Sequence, residues 1–391
     1  MLGSRLAVAQ RAAVPPFHVM DVLAAAAQRR RTHGDLVNMA AGQPYTPASQ
    51  PVLAAARAAL EDPLQLGYTV ALGIHELRAA IAEHYRRWYD LDVIADDVIV
   101  TTGSSGGFLL SFLAAFDVGA RVAMGRPGYP CYRNILAALG CTVVELPCGP
   151  DVRFQPTLAM LAALDEPIDG LVVASPANPT GTVIAADELS AIAAWCEANG
   201  VQLISDEIYH GITYEASATD TACAWRTSRE AIVVNSFSKY FSMTGWRLGW
   251  LLVPERLRRA VDILTGNFNI CPPALPQHAA VAAFTPESYA EQDGHLKRYA
   301  TNRAMLLDGL PALGVGELAP ADGALYVYAD VSHLTSDTLQ FCRRLLADTG
   351  LAIAPGIDFD TVDGARYVRM SFAGSTEDIA EALRRLGSWL P

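Results

Sequence analysis

The sequence predicts an α/β fold: a large domain built on a seven-stranded, mostly parallel sheet, with a smaller α+β domain made from both chain ends. Three observations predict it. From 98 to 253, short apolar runs alternate with helix-length segments, the pattern of βα units that form a parallel sheet covered on both faces. The last connection of that series, about 236–247, leaves little room for a crossover helix. Parallel neighbours need about a dozen linking residues or more, so the seventh strand is expected to be antiparallel. Beyond 311 the pattern changes to mixed strands and helices.

In chain order, residues 1–20 read as an arm carrying Pro15-Pro16, entering a helix over about 21–32 with Asp21 as its N-cap. Asp35 to Met39 reads as a short strand that delivers a turn at Gly42-Gln43-Pro44. Helices are expected over about 49–60 and 75–88, the second from the apolar stripe Ile74, Leu77, Ala80 and Ile81. The seven strands are Val98–Thr102, Arg121–Met124, Thr142–Leu146, Leu171–Ser175, Gln202–Ser205, Ala231–Asn235 and Leu248–Val253. Helices over about 104–116, 130–139, 157–163 and 187–198 fall between them, and a long one runs over about 286–310. Strands at Leu325–Ala329, Leu351–Ala354 and Tyr367–Ser371 and helices over about 336–348 and 376–389 complete the chain. The expected division is an arm and part of the small domain over 1–45, the large domain over 46–300 and the small domain over 301–391.

Hydrophobic residues make up 51% and charged residues 18% of the 391, enough for a large core. The net charge of −12 argues against nucleic acid or an anionic membrane as a partner. No apolar run reaches the ~18 residues of a membrane span. Residues 1–16 hold no sustained apolar segment, so no signal peptide is expected. The seven cysteines are scattered and never spaced C-x-x-C, which reads as reduced thiols in a cytoplasmic protein. No ligand spacing calls for a metal.

Four segments carry chemistry, each at a predicted strand end. Ser236-Phe-Ser238-Lys239 leads to Arg247 eight residues on. A lysine beside hydroxyls and a forked cation suits a Schiff base with a phosphorylated aldehyde, that is, pyridoxal 5′-phosphate (PLP). Gly103-Ser104-Ser105-Gly-Gly opens a helix and offers backbone N–H groups to an anion. In Asn178-Pro-Thr-Gly181 the asparagine amide can donate to the phenolic oxygen of PLP. Asp206, ending an apolar strand, is costly there unless it meets a cation such as a protonated pyridine nitrogen. Each also has a plainer reading: a Gly/Ser turn, a Pro-Gly turn, a helix N-cap.

In order and separation these segments resemble the class I/II aminotransferases, the fold-type I PLP enzymes, over nearly the whole chain. The resemblance implies that Lys239 joins the cofactor, Asp206 pairs its ring nitrogen, and Asn178 and Tyr209 bond its phenolic oxygen. It implies that Ser104, Ser105, Ser236 and Arg247 hold the phosphate and that Tyr129 stacks on the ring. Tyr68 matches a tyrosine sent across a homodimer interface to the partner's phosphate. Arg369 and the backbone of Gly42 match the contacts to the substrate α-carboxylate.

Ser105 departs from a close subgroup of bacterial aspartate aminotransferases that carries a lysine here for the distal carboxylate. The reading is therefore ping-pong amino transfer between a neutral aliphatic amino acid, alanine or valine, and a 2-oxo acid of the pyruvate type. The alternatives are an aspartate aminotransferase and, further off, a PLP-dependent β-lyase or decarboxylase. Gly103-Ser-Ser105-Gly-Gly107 also fits the G-x-S-x-G elbow of α/β-hydrolases, but that leaves Asn178, Asp206, Lys239 and Arg247 unexplained. A non-catalytic PLP-binding regulator would need a basic DNA-binding module, and none is legible.

Overall fold

The computed structural model of the chain describes residues 8–62, 66–214 and 221–390. The first part of the expected arm, residues 1–7, lies outside the described residues. Helix α1 (His18–His33) comes first and closes on Gly34, whose left-handed φ of 74° suits the residue after a helix. Then come β1 (Val37–Asn38), α2 (Gln50–Glu61) and α3 (His75–Tyr89). The βα series runs β2 (Val98–Thr101), α4 (Gly103–Ala115), β3 (Arg121–Arg126), α5 (Pro130–Ala138), β4 (Thr142–Pro147), α6 (Leu158–Ala162) and β5 (Gly170–Ala174). It continues with α7 (Ala186–Ala198), β6 (Gln202–Asp206), β7 (Ile232–Ser236) and β8 (Gly249–Leu252). Three helices follow: α8 (Glu255–Phe268), α9 (Ala274–Ala280) and α10 (Pro286–Ala312). The chain ends with β9 (Tyr326–Asp330), α11 (Thr338–Thr349), β10 (Leu351–Ala352), β11 (Ala354–Pro355), β12 (Tyr367–Ser371) and α12 (Thr376–Trp389).

The large sheet has seven strands in the order β2-β8-β7-β6-β5-β3-β4. Strand β8 runs antiparallel to both β7 and β2, and every other pairing is parallel. Two reversals return β2 to the direction of β7. The carboxyl ends of β2, β3, β5, β6 and β7 therefore share one edge of the sheet, where open α/β sheets bind their ligands.

Successive side chains of a strand point to opposite faces, and both faces here are dry. Val233, Leu203, Leu171 and Val173 enter one apolar core; Ile232, Val234, Ile204 and Val172 enter the other, where Phe108 and Phe112 of α4 pack. This is why each strand reads as a continuous apolar run rather than an alternating one.

Near the chain ends, β1 pairs in parallel with β10, and β11, β12 and β9 form an antiparallel sheet. The expected single strand over Leu351–Ala354 is two strands. The chain passes from one sheet to the other at Ile353, and the apolar run hides the change because all four residues are buried.

Asp21 is not the cap of α1. The helix starts at His18, and Asp358, 340 residues away from it, caps the end instead. Its carboxylate oxygens accept from the His18 and Val19 amides at 2.8 and 2.7 Å. Asp21 lies in the first turn, where its charge favours the dipole. Among the described residues no helix is long and apolar enough to cross a membrane. Replacing Asp358 by Ala removes both capping bonds. Its thermal midpoint should fall by about 2–6 °C, the equivalent of roughly 1–3 kcal/mol, in a thermal-shift measurement. Asp21→Ala should cost less than half as much; an equal loss at Asp21 would contradict the long-range cap.

Candidate active site

The shared sheet edge opens into a cavity of about 210 Å³. Ten of the twelve candidate residues line it: Gly42, Ser104, Ser105, Tyr129, Asn178, Asp206, Tyr209, Lys239, Arg247 and Arg369. Tyr68 does not; its side chain is 83% exposed in the single chain. Ser236 does not either. Its buried hydroxyl accepts from the Ser238 amide at 3.0 Å and reaches the Leu248 carbonyl at 3.3 Å, which ties the two ends of the lysine loop together.

Lys239 follows β7 by three residues in that loop, and its Nζ donates to the Gly42 carbonyl at 2.5 Å. Burial lowers the lysine pKa, aided by the cations Arg369 and Arg247 and opposed by Tyr326 and Asp206. An amine so placed gives up its proton more readily than a surface lysine.

Asp206 ends β6 with 3% of its surface exposed. Burial raises its carboxyl to about 6, against the Tyr132 hydroxyl, the Ile208 amide and Lys239, all of which favour the charge. Tyr132, on α5, donates to Oδ2, and the Ile208 amide donates to Oδ1 at 3.1 Å. No helix starts at residues 207–214, directly after Asp206, so it is not an N-cap. Tyr209 is buried three residues on, its hydroxyl 2.5 Å from that of Tyr326.

The anion end is built by α4 and the lysine loop. Gly103 has a φ of 69°, and a Cβ there would lie 2.6 Å from Nη2 of Arg247. Glycine thus lets the guanidinium lie across the first turn of the helix. Ser104, Ser105, Ser238 and Thr244 bring hydroxyls to the same place. A helix N-terminus, a guanidinium and hydroxyls together form a phosphate-type site.

Arg369 is buried in β12. Its Nη1 donates to the Asn178 amide oxygen at 2.8 Å and its Nη2 to the Ala40 carbonyl at 2.7 Å, while Nε has no partner. The guanidinium is held between the rings of Tyr326 and Phe359, 4.3 and 4.7 Å from their centroids. Among the described residues no carboxylate forms an ion pair with Arg369, and no cation forms one with Asp206. Tyr129 stands half-buried at the cavity wall, edge-on to Phe17 at 6.1 Å. Beside Phe17, the α1 residues Val19, Met20 and Leu23 form an apolar side.

Sequence reasoning missed Tyr132, Tyr326, Thr244 and the α1 wall. Tyr132 carried a signal, since it lies one helical turn beyond Tyr129. Tyr326 carried none: an aromatic in an apolar strand reads as core. The hydrolase reading finds no support, because no histidine is among the described residues lining the cavity. The cavity can hold a flat ligand with an anionic group at one end and a cationic ring atom at the other. It presents a lysine to that ligand's centre and a fork to a carboxylate.

The sequence matches the family described as Aminotransferase class I and II over residues 34–386. It is 68% identical over 384 residues to the valine–pyruvate aminotransferase of Mycobacterium tuberculosis, covering 98% of each chain. It is 34% identical over 377 residues to the aspartate/prephenate aminotransferase of Thermus thermophilus, covering 95% of this chain and 96% of that one. The crystal structure of an aminotransferase from Mycobacterium tuberculosis superposes with a TM-score of 0.96 at 68% identity over 99% of both chains. The aspartate aminotransferase from Thermus thermophilus with maleate superposes with a TM-score of 0.91 at 33% identity, over 98% of this chain and 99% of that one. Fold, cavity and relatives converge: the chain belongs to the class I and II aminotransferases and is a transaminase.

Proposed function

We propose that the chain uses PLP to move an amino group, by a ping-pong route, between a neutral aliphatic L-amino acid and a 2-oxo acid of the pyruvate type. One observation carries the reading. A buried acid, Asp206, and a buried cation, Arg369, face one cavity across Lys239, and neither forms an ion pair among the described residues. Such groups are costly alone. A protonated ring nitrogen and a substrate carboxylate would complete them.

The residues present fit PLP. Asp206, ionised at neutral pH, would pair the ring nitrogen and keep it protonated. The α4 N-terminus, Arg247, Ser104, Ser105, Ser238 and Thr244 would hold the phosphate, and Tyr129 would lie against the ring. Arg369 occupies the amide oxygen of Asn178, which leaves the Asn178 NH₂ to donate to the phenolic oxygen beside Tyr209. When bound, PLP supplies a carbonyl for Lys239 and an electron-withdrawing ring that acidifies the substrate Cα. Arg369 forks onto the substrate carboxylate beside the Gly42 backbone and so aims the Cα–H bond. Lys239, with its lowered pKa, takes the Cα proton and returns it as a general acid.

Three cations line the cavity among the described residues, Lys239, Arg247 and Arg369, and each has a role. None remains for a second carboxylate, and Ser105 brings no charge. Phe17, Val19 and Leu23 suit a branched aliphatic side chain instead. The 68% identical relative is called a valine–pyruvate aminotransferase, which supports the same choice.

The proposal includes a cytoplasmic homodimer in which Tyr68 reaches the partner's phosphate. Tyr68, Val70, Phe268 and Ile270 leave large apolar side chains exposed, as an interface would need. It also includes a small domain from 1–45 and 301–391 beside a large one over 46–300, supported by the β1–β10 pairing and the Asp358 cap.

Lys239→Ala should lower turnover by about 10⁴-fold while retaining some cofactor. Borohydride treatment of the PLP-loaded wild type should mark Lys239 by peptide mass; labelling elsewhere refutes the assignment. Asp206 is protonated below about 6 and charged above it. Cofactor affinity should therefore fall as pH drops through about 6, read by fluorescence titration. In Asp206→Asn the affinity should be weak at every pH, and an unchanged profile there would rule out the pairing. Single-turnover spectra should show valine and alanine converting at least about tenfold faster than aspartate. Ser105→Lys should shift that ratio toward aspartate by roughly fivefold, the ~1 kcal/mol of a partly exposed charge pair. A wild type faster with aspartate favours the aspartate reading. Product release without any added 2-oxo acid favours a lyase or decarboxylase.

A further inference from the structure

We propose that Tyr326 is a positioning residue that sets the direction of the Tyr209 hydroxyl and braces Arg369; this rests on the PLP reading of the cavity. Tyr326 lies in β9, 1% exposed, directly opposite Ser371 of β12 and two positions from Arg369. Three contacts meet on it. Its hydroxyl is 2.5 Å from that of Tyr209. Its ring carries the Arg369 guanidinium at 4.3 Å. Its hydroxyl also fills the place where a Cβ of residue 42 would stand, with Cζ 2.9 Å from that point, so residue 42 has room only as glycine. Gly42 in turn supplies the carbonyl that Lys239 Nζ contacts.

Two phenols joined by one hydrogen bond have two protons, and only one lies between them. If Tyr209 donates, its one proton is spent on Tyr326 and none remains for a ligand oxygen in the cavity. If Tyr326 donates, the Tyr209 proton is free to enter the cavity. An anionic ligand oxygen beside Tyr209 would strengthen the same order, since successive hydrogen bonds polarise one another. The arrangement is thus Arg369 over Tyr326, Tyr326 to Tyr209, and Tyr209 to the ligand.

The two roles separate by substitution. Tyr326→Phe keeps the ring under Arg369 and removes the donor. Tyr326→Leu removes both. The probe is the visible band of the PLP-loaded protein titrated against pH. A donor to the cofactor's phenolic oxygen makes that oxygen less basic, so losing the support of Tyr209 should raise the titration midpoint by about half to one pH unit in both variants. The second probe is 2-methylvaline, which can exchange its amine with Lys239 but has no Cα proton and so cannot be transaminated. Its affinity should weaken less than twofold in Tyr326→Phe and about fivefold or more in Tyr326→Leu. A midpoint that stays at the wild-type value in Tyr326→Phe, even with a lowered thermal midpoint, overturns the proposal alone. A wild-type protein that develops no lysine-linked band overturns the PLP reading and this proposal with it.

Discussion

A carboxylate buried at the end of the middle strand, with no cation paired to it among the described residues, is the constraint around which the cavity is arranged. Strand β6 is fourth of seven, and the strands beside it end nearly flush, with Ala174 and Val234 in register with Asp206. The loops leaving β5 and β7 therefore open around Asp206 and bring Asn178 and Lys239 to it. An isolated charge in such a place is tolerated only when hydrogen bonds and a ligand offset its desolvation. Tyr132 and the Ile208 amide supply the first part. The rest is left to what binds.

The reversal at β8 gives the lysine its rigidity. Joining antiparallel neighbours lets the loop be short, and a short loop has few conformations to lose. Its ends are pinned by the Ser236 hydroxyl and by the Phe237 amide, which donates to the Leu248 carbonyl at 3.1 Å. Arg247 adopts a left-handed φ of 54° at the loop's close, which turns its side chain back over Gly103. One tight connection thus places both the amine and the phosphate-type cation.

Most of this was legible in the sequence because the sheet is buried on both faces. Its strands are plain apolar runs, and the motif residues follow each run at once. The antiparallel strand followed from counting linker residues. What stayed hidden depends on contacts between distant residues. Asp21 had the local look of a cap, yet Asp358 does the capping. Tyr326 looked like any aromatic in a strand, yet it touches the carboxylate fork, the Tyr209 hydroxyl and Gly42 together. Ile353 lies in an unbroken apolar run, so nothing marks the passage between two sheets. Ser236 shows the converse: its type suited an anion, but its hydroxyl is held by the backbone of its own loop.

The cap on α1 has a consequence for the order of synthesis. The helix that walls the cavity leaves the ribosome 340 residues ahead of the carboxylate that holds its end. Arg369 arrives later still. A nascent chain can complete its central sheet before then, but its binding cleft stays open on one side until that later segment has been made.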